Sequence, residues 1–321
     1  MKKLRLLSSL CLTLAFPIFA TAQDYPSKTV RLVSSFSTGA FQILSHIVAE
    51  KLTEAMGQPV IVDYRTGGGG NLGVTYAAKS PADGYTLAIL NSTHAIAPIL
   101  NPKLQYDALK SFAPISLLST VPNLLVVHPS LPVKTLQELA RLARTHPGKL
   151  TYGSGGTGSF NHLGNELFRT LAKAEIVHVP YKGGSIALTS ILSGEVDMVV
   201  VTVPATLPFV TTGRLRALAV LSTKRLPTLP DVPTSAEAGM PELVFVTWYG
   251  IAAPTGVKPE IIARLNSEIV KIFITPQVKQ QLAKVGIDPT TSIPEAFQEH
   301  MRSEVKKWTR VIREARIQIE H

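Results

Sequence analysis

Two glycine-containing stretches of this chain have the residue types and spacing that suit the binding of an anion. The first is "SFSTGAFQ" at 35–42, and the second is "GSGGTGSFNH" at 153–162. A glycine loop that leads into a helix lets backbone N–H groups point at a ligand, and the helix N-terminus favours negative charge. The alternative is a pair of tight turns with ordinary helix N-caps. The hydroxyl groups of the two stretches belong to Ser37, Thr38, Ser154, Thr157 and Ser159.

A third stretch, "VIVDYRTGGGGNLG" at 60–73, contains the G-x-G-x-x-G spacing of dinucleotide-binding loops, and so does 153–158. A dinucleotide site also needs an acidic residue about 20 residues after the glycines. Here the strand at that distance ends in Asn91. Two matches in one chain show that the spacing is a weak signal. We therefore expect no nucleotide cofactor.

Catalytic and metal-binding patterns are missing from the sequence. There is no G-x-S-x-G nucleophile elbow and no H-E-x-x-H motif, and the eight histidines are scattered. His162 and His178 flank glycine loops and could touch a ligand, although a lone histidine is more often structural. Asp197 has no evident partner for acid–base chemistry, and Trp248 with Tyr249 fits either ligand stacking or hinge packing. We predict a protein without catalytic residues, metal or cofactor.

The elements that position these loops follow from the alternation of short apolar runs with amphipathic stretches. This pattern predicts strands followed by helices, and therefore parallel sheets covered by helices. The series restarts near residue 123, where Thr135 and Glu138 form a capping box before a helix with 3.6-residue periodicity. Two helical stretches after Pro254 complete the chain. A chain that visits one lobe, then a second, and then returns would place a ligand cleft between the lobes.

The first residues indicate export. A basic segment, an apolar stretch and small residues at Ala20 and Ala22 predict a signal peptide at 1–22 that is cleaved after Ala22. Cys11, the only cysteine, lies inside that peptide, so disulfides and thiol catalysis are excluded from the mature chain. Three positive charges of the formal +10 also precede the cleavage point, which leaves +7. Export disfavours nucleic acid as a partner and leaves small anions open.

Several motifs, in order and in register, resemble the Bug (TctC-like) family of extracytoplasmic solute receptors of tripartite tricarboxylate transporters. The resemblance covers essentially the whole mature chain. The motifs that carry it are "GQPVIVDYRTGGGGNLG", "SPADGYTL", "PGKLTYGSGGTGSFNHLGNELF", "HVPYKGGSIAL", "GEVD", "GRLRALAV", "LPDVPTSAEAGMP" and "WYGIAAP".

This resemblance implies a type II periplasmic-binding-protein fold, in which two α/β lobes joined by hinge strands close on a ligand. We expect residues 23–118 and 250–321 in the first lobe and 119–249 in the second. In the family, a carboxylate is typically held by backbone amides and ordered waters at loops that match 35–42 and 153–160. The glycine cluster at 67–70 matches a turn that serves structure rather than a nucleotide.

The first loop departs from the family pattern P-F-x-x-G-G, which is followed by an Asp and then Ala-Arg. Ser35 replaces the proline, Ala40 replaces the second glycine, and Phe41 with Gln42 stands where an acid is usual. In the other lobe, Val201 occupies a position that is commonly acidic. These changes remove negative charge from the expected cleft, and we therefore expect an aromatic or bulkier acid as the ligand.

The sequence therefore predicts a periplasmic receptor that captures a small organic anion and passes it to membrane transporter subunits. An extracytoplasmic sensor that presents its ligand to a signalling protein is the alternative. We expect a monomer. The candidate ligand-binding residues are Phe36, Ser37, Thr38, Gly39, Ala40, Phe41, Gln42, Ser92, Thr93, Ser154, Gly156, Thr157, Gly158, Ser159, His162 and Asp197.

Overall fold

Strands and helices alternate along the chain in the computed structural model, which describes residues 25–314. The signal peptide predicted at 1–22 lies outside the described residues. The strands are β1 Val30–Ser34, β2 Val60–Tyr64, β3 Thr86–Asn91, β4 Phe112–Val127, β5 Thr151–Ser154, β6 Val177–Pro180, β7 Met198–Thr202, β8 Arg216–Val220, β9 Val246–Pro254 and β10 Asp288–Pro289. The helices are α1 Gly39–Met56, α2 Asn71–Ala78, α3 Ser92–Leu100, α4 Leu136–Thr145, α5 Phe160–Ala172, α6 Gly184–Leu192, α7 Val203–Thr211, α8 Pro259–Ile274, α9 Pro276–Ala283 and α10 Pro294–Glu314.

The first lobe is built on a sheet in the order β2-β1-β3-β9-β4-β10. Strands β1, β2 and β3 are parallel, whereas β9 runs antiparallel to both of its neighbours. Helix α1 buries Leu44, Val48 and Leu52 against this sheet, because residues spaced by about one helical turn share one face. The helix ends at Gly57, whose backbone is left-handed at φ 69°.

The second lobe is built on a sheet in the order β6-β5-β7-β4-β8, in which β5, β6 and β7 are parallel. The predicted capping box is present at the start of α4, where Glu138 N donates to Thr135 Oγ1 at 3.1 Å. Helix α4 buries Leu136, Leu139 and Ala143 in the core of this lobe. Both lobes therefore carry parallel strands that lead into helices, as the alternation in the sequence predicts.

Strands β4 and β9 cross between the lobes. Strand β4 pairs with β9 as far as Pro122 and with β7 from Asn123 onward. The Asn123 side chain fastens the crossing, because its Nδ2 donates to the Phe245 carbonyl at 2.8 Å and to Thr247 Oγ1 at 2.9 Å. The pairing of β4 thus passes from the first sheet to the second near 122–123, opposite the start of β9 near 245–246. The division at 118–119 and 249–250 remains a prediction.

Helix α10 also touches both lobes. Trp308 on α10 packs edge-to-face on Phe245 in the core of the second lobe, although the sequence places this helix in the first. Glu304, one turn earlier, accepts hydrogen bonds from the indole nitrogens of Trp248 and Trp308, both at 3.2 Å. The last described helix therefore ties a crossing strand to the second core. Within residues 25–314, no helix is both long and apolar enough to span a membrane.

Candidate functional site

A cleft between the lobes runs along the carboxyl ends of the parallel strands and has two connected chambers. The glycine chamber has a volume of 680 Å³ and is lined by Phe36, Ser37, Thr38, 66–71, Ala97, Asn101, Leu104, 155–158 and 181–185. The apolar chamber has a volume of 380 Å³ and is lined by Phe36, 38–41, Phe160, Asn161, Gly184, Ser185, Leu188, Thr189, Leu192, Val201, Thr202, Pro204, Ala205, Phe209 and Tyr249. The chambers share four lining residues, which are Phe36, Thr38, Gly184 and Ser185.

The first predicted loop lies at the junction of the chambers. Thr38 is the N-cap of α1 but makes no side-chain capping bond, so the first N–H groups of this helix have no capping partner. Ser37 and Thr38 line the glycine chamber, whereas Gly39, Ala40 and Phe41 line the apolar chamber. Most of the loop thus reaches the cleft, as the sequence predicts.

Phe41 forms part of an aromatic wall of the apolar chamber. Its ring centroid lies 5.0 Å from that of Phe36, 5.1 Å from that of Tyr249 and 6.1 Å from that of His94. Tilted and edge-to-face contacts of this kind stabilise aromatic clusters. The side chain is therefore both a core residue and a wall of the cleft.

The second predicted loop is fixed by its own hydroxyl groups. Gly156 N donates to Ser154 Oγ at 3.1 Å, and Ser154 Oγ lies 2.7 Å from His178 Nε2. Ser159 caps α5 by accepting from His162 N at 3.4 Å. Gly156, Thr157 and Gly158 line the glycine chamber, while Ser154, Ser159 and His162 are buried outside its lining.

Behind this loop lies a chain of stacked and hydrogen-bonded side chains. His162 Nδ1 accepts from Gly158 N at 3.3 Å, and the His162 ring lies 4.4 Å from that of His178. Burial lowers the pKa of His162, so the neutral ring that accepts this bond is favoured. Glu166 accepts from Tyr152 at 2.6 Å and from Arg169 Nη2 at 2.6 Å. Burial raises the pKa of Glu166, but these hydrogen bonds together with the nearby charge of Arg169 lower it below its usual value.

Two wall segments of the glycine chamber were missed by the sequence reasoning. Residues 66–71 lead into α2 and residues 181–185 lead into α6, and both line the cleft. The interpretation of the glycine cluster as only a structural turn is therefore incomplete. Gly69 has a left-handed backbone at φ 66°, and a Cβ placed there would lie 3.3 Å from the Thr157 carbonyl oxygen of the other lobe. The available signal was glycine followed by a helix, the same signal that identified the two predicted loops.

Helix α6 begins at the junction of the chambers. Its N-cap Gly183 has φ 130° and no side chain, so the first N–H groups of α6 lack a capping partner. Uncapped starts of α1 and α6, one from each lobe, thus border the same part of the cleft. Lys182 is the one charged side chain among the described residues that line either chamber. These features favour an anion over a cation.

Four further predicted residues, Asp197, Gln42, Ser92 and Thr93, also lie outside both chamber linings. Asp197 directly precedes β7, at the amino end of this strand and away from the cleft. Its Oδ2 accepts a hydrogen bond from Thr151 N at 2.8 Å and so stabilises the start of the neighbouring strand β5. Gln42 is exposed and lines neither chamber, because it faces outward on the first turn of α1. Ser92 and Thr93 are fully buried outside both linings, and Ser92 Oγ accepts from Trp248 N at 3.3 Å.

Two α/β lobes joined by crossing strands, with a cleft between them, define a periplasmic binding protein, and the expected type II fold is confirmed by known structures. R. palustris Rpa4515, solved with adipate, has a TM-score of 0.88 at 36% identity, covering 92% of this chain and 99% of that one. MatC from Rhodopseudomonas palustris, solved with bound malate, has a TM-score of 0.85 at 29% identity, covering 90% and 100%.

Residues 44–317 match the model of the tripartite tricarboxylate transporter family receptor, TctC. BugT of Bordetella pertussis (strain Tohama I) is 35% identical over 297 residues, which cover 92% of this chain and 91% of BugT. The chain belongs to this receptor family. Members of the family are solute-binding receptors rather than enzymes.

Proposed function

We propose that this protein captures a small organic carboxylate by closing its two lobes and delivers it to a tripartite tricarboxylate-type transporter. The observation that carries the proposal is the pair of uncapped helix starts at α1 and α6, which border one junction from opposite lobes. Unpaired N–H groups and aligned peptide dipoles attract an anion at that point. Contacts from both lobes at once give the closed state the higher affinity that closure requires.

The composition of the cleft supports an anion and a bulky body. Lys182 is exposed, forms no ion pair with a described residue, and meets no carboxylate side chain on the chamber walls. The aromatic wall around Phe41 supports the finer proposal that the anion carries an aromatic or otherwise bulky group. The solved relatives with adipate and malate support a carboxylate as its acid group. The family supports a periplasmic location, with cleavage after Ala22 as part of the proposal.

A thermal-shift screen of the mature protein tests carboxylate capture. It compares mono-, di- and tricarboxylates with the uncharged amide of each acid, so that shape is held while charge is removed. An acid present at 100 times its dissociation constant stabilises the folded protein by about 2.7 kcal/mol. We expect stabilisation by an acid and none by its amide. Equal stabilisation by both, or by no acid at all, overturns the proposal.

Delivery is tested by uptake of the radiolabelled acid in cells that lack both this receptor and the membrane subunits of the transporter. We expect uptake to return with the wild-type gene together with genes for the membrane subunits, and with neither alone. If the acid binds tightly but uptake is unaffected by the receptor, transport is refuted and a sensing role is favoured.

A further inference from the structure

The apolar chamber differs in chemistry from the glycine chamber beside it. None of its described lining residues is Asp, Glu, Lys, Arg or His. Its walls come from both lobes, with Phe41 from α1 and further lining residues from α5, α6 and α7. A carboxylate enclosed here would lose water without gaining a cation, which is unfavourable. The main apolar walls are Phe41, Phe160, Leu188, Val201, Ala205 and Phe209.

One buried acceptor of this chamber lacks a partner. Asn161 is only 1% exposed, and its Nδ2 donates to the Val200 carbonyl at 2.7 Å. That bond fixes the orientation of the amide, because a flipped amide would place two oxygens against each other. Asn161 Oδ1 then has no hydrogen-bond partner among the described residues.

This oxygen lies beside the start of α6. A Cβ placed on Gly184 would be 3.6 Å from Asn161 Oδ1. The acceptor therefore borders the same junction as the uncapped N–H groups of α6. Buried acceptors are almost always paired in native proteins, so a bound molecule with a donor group suits this position.

We propose that the ligand is an amphipathic monocarboxylate with one neutral hydrogen-bond donor. Its single acid group lies at the junction between the starts of α1 and α6, its apolar body fills the apolar chamber, and its hydroxyl donates to Asn161 Oδ1. This inference rests on the proposed function, because it assigns the substrate class of the same cleft. It departs from the dicarboxylates adipate and malate, which occupy solved relatives.

Calorimetric titration of the mature protein with matched acids tests the number of acid groups. Hexanoate and adipate share a six-carbon chain and differ by one terminal carboxylate, and benzoate and terephthalate form the corresponding aromatic pair. We expect the monocarboxylate to bind at least about tenfold tighter in each pair in which binding is measurable. Tighter binding of the dicarboxylate in either pair overturns the inference. If none of these four acids binds but another di- or tricarboxylate does, the inference is overturned as well. Both of these outcomes leave carboxylate capture intact, whereas failure of every carboxylate refutes the proposed function itself.

The donor is tested with 4-hydroxybenzoate against benzoate and with 6-hydroxyhexanoate against hexanoate. We expect the hydroxyl to raise affinity by about three- to tenfold in the pair whose geometry reaches Asn161. In Asn161→Ala we expect the hydroxy acid and its parent acid to bind with equal affinity, and a thermal melt of the variant without ligand verifies its folding. No gain in either wild-type pair overturns the donor assignment, and so does an unchanged gain in the variant. If the variant does not fold, the wild-type pairs alone decide.

Discussion

Gly69 provides a direct test of lobe closure, because it meets the other lobe across the cleft. Its backbone is left-handed at φ 66° and ψ 22°, a conformation that Asn tolerates better than other side chains. Gly57, at the end of α1, has nearly the same backbone at φ 69° and ψ 10°, and a Cβ there would meet no atom within 4 Å. Gly69→Asn and Gly57→Asn therefore form a matched pair that differs in surroundings alone.

The size of the effect follows from the contacts at each site. A Cβ at Gly69 would lie 3.3 Å from the Thr157 carbonyl oxygen and 3.8 Å from Ser159 N, and Asn adds three further heavy atoms beside that loop. Overpacking of this kind costs about 1–3 kcal/mol, which corresponds to affinity weaker by about 5- to 150-fold. The left-handed backbone costs both variants about 1 kcal/mol of unfolding free energy.

The assay is calorimetric titration with the tightest carboxylate of the screen, together with urea unfolding without ligand. We expect Gly69→Asn to bind at least about fivefold more weakly than Gly57→Asn, while the two unfold at similar urea concentrations. Equal affinities would refute the reasoning, since the loops 66–71 and 155–158 would then not meet around the ligand. A much lower stability of Gly69→Asn without ligand would show that closure does not depend on the ligand.

Three further predictions concern buried or partly buried polar groups. Glu166→Gln should lower the free energy of unfolding by about 1–3 kcal/mol at pH 7, because the charge-assisted bond from Arg169 is lost. Since the folded pKa of Glu166 is lowered, its contribution is complete above about pH 4.3 and is lost as the pH falls below that, so urea curves of the variant and the wild type should converge in acid. Burial lowers the pKa of His94 to about 3, so the free energy of unfolding of the wild type falls as the pH drops below about 6.5. His94→Asn retains an acceptor for Asn91 N and should flatten the dependence of that free energy on pH by up to about 1 kcal/mol per pH unit. An unchanged dependence on pH would contradict the assignment. Asp197→Asn should cost about 1 kcal/mol of stability and leave carboxylate affinity unchanged, whereas weaker binding in titration would return Asp197 to the site.

The elements of the fold were predictable because their signals are local. The capping box at Thr135 and Glu138 marks the start of α4, and strand-like runs before glycine loops mark the parallel strands. The first loop reaches the cleft as predicted, since a strand-to-helix turn at the carboxyl end of a parallel strand faces the inter-lobe edge. Local periodicity therefore determines much of each lobe.

The walls of the cleft were harder to predict, because they depend on how the lobes face each other. Residues 181–185 line the cleft, yet "YKGGS" resembles many surface turns until α6 is placed against the first lobe. Asp197 directly precedes β7 and therefore lies at the opposite end of this strand from Thr202. Thr202, at the carboxyl end of β7, lines the apolar chamber. One strand can thus carry a wall residue at one end and a structural brace at the other.

The link between Glu304 and the two indoles also makes the hinge optically visible. The chain contains two tryptophans in all, and both donate to this one carboxylate, one from crossing strand β9 and one from α10. Any bending of β9 relative to α10 changes the surroundings of both fluorophores together. We therefore expect intrinsic tryptophan fluorescence to follow the proposed lobe closure in the unlabelled protein, and stopped flow to give its rate.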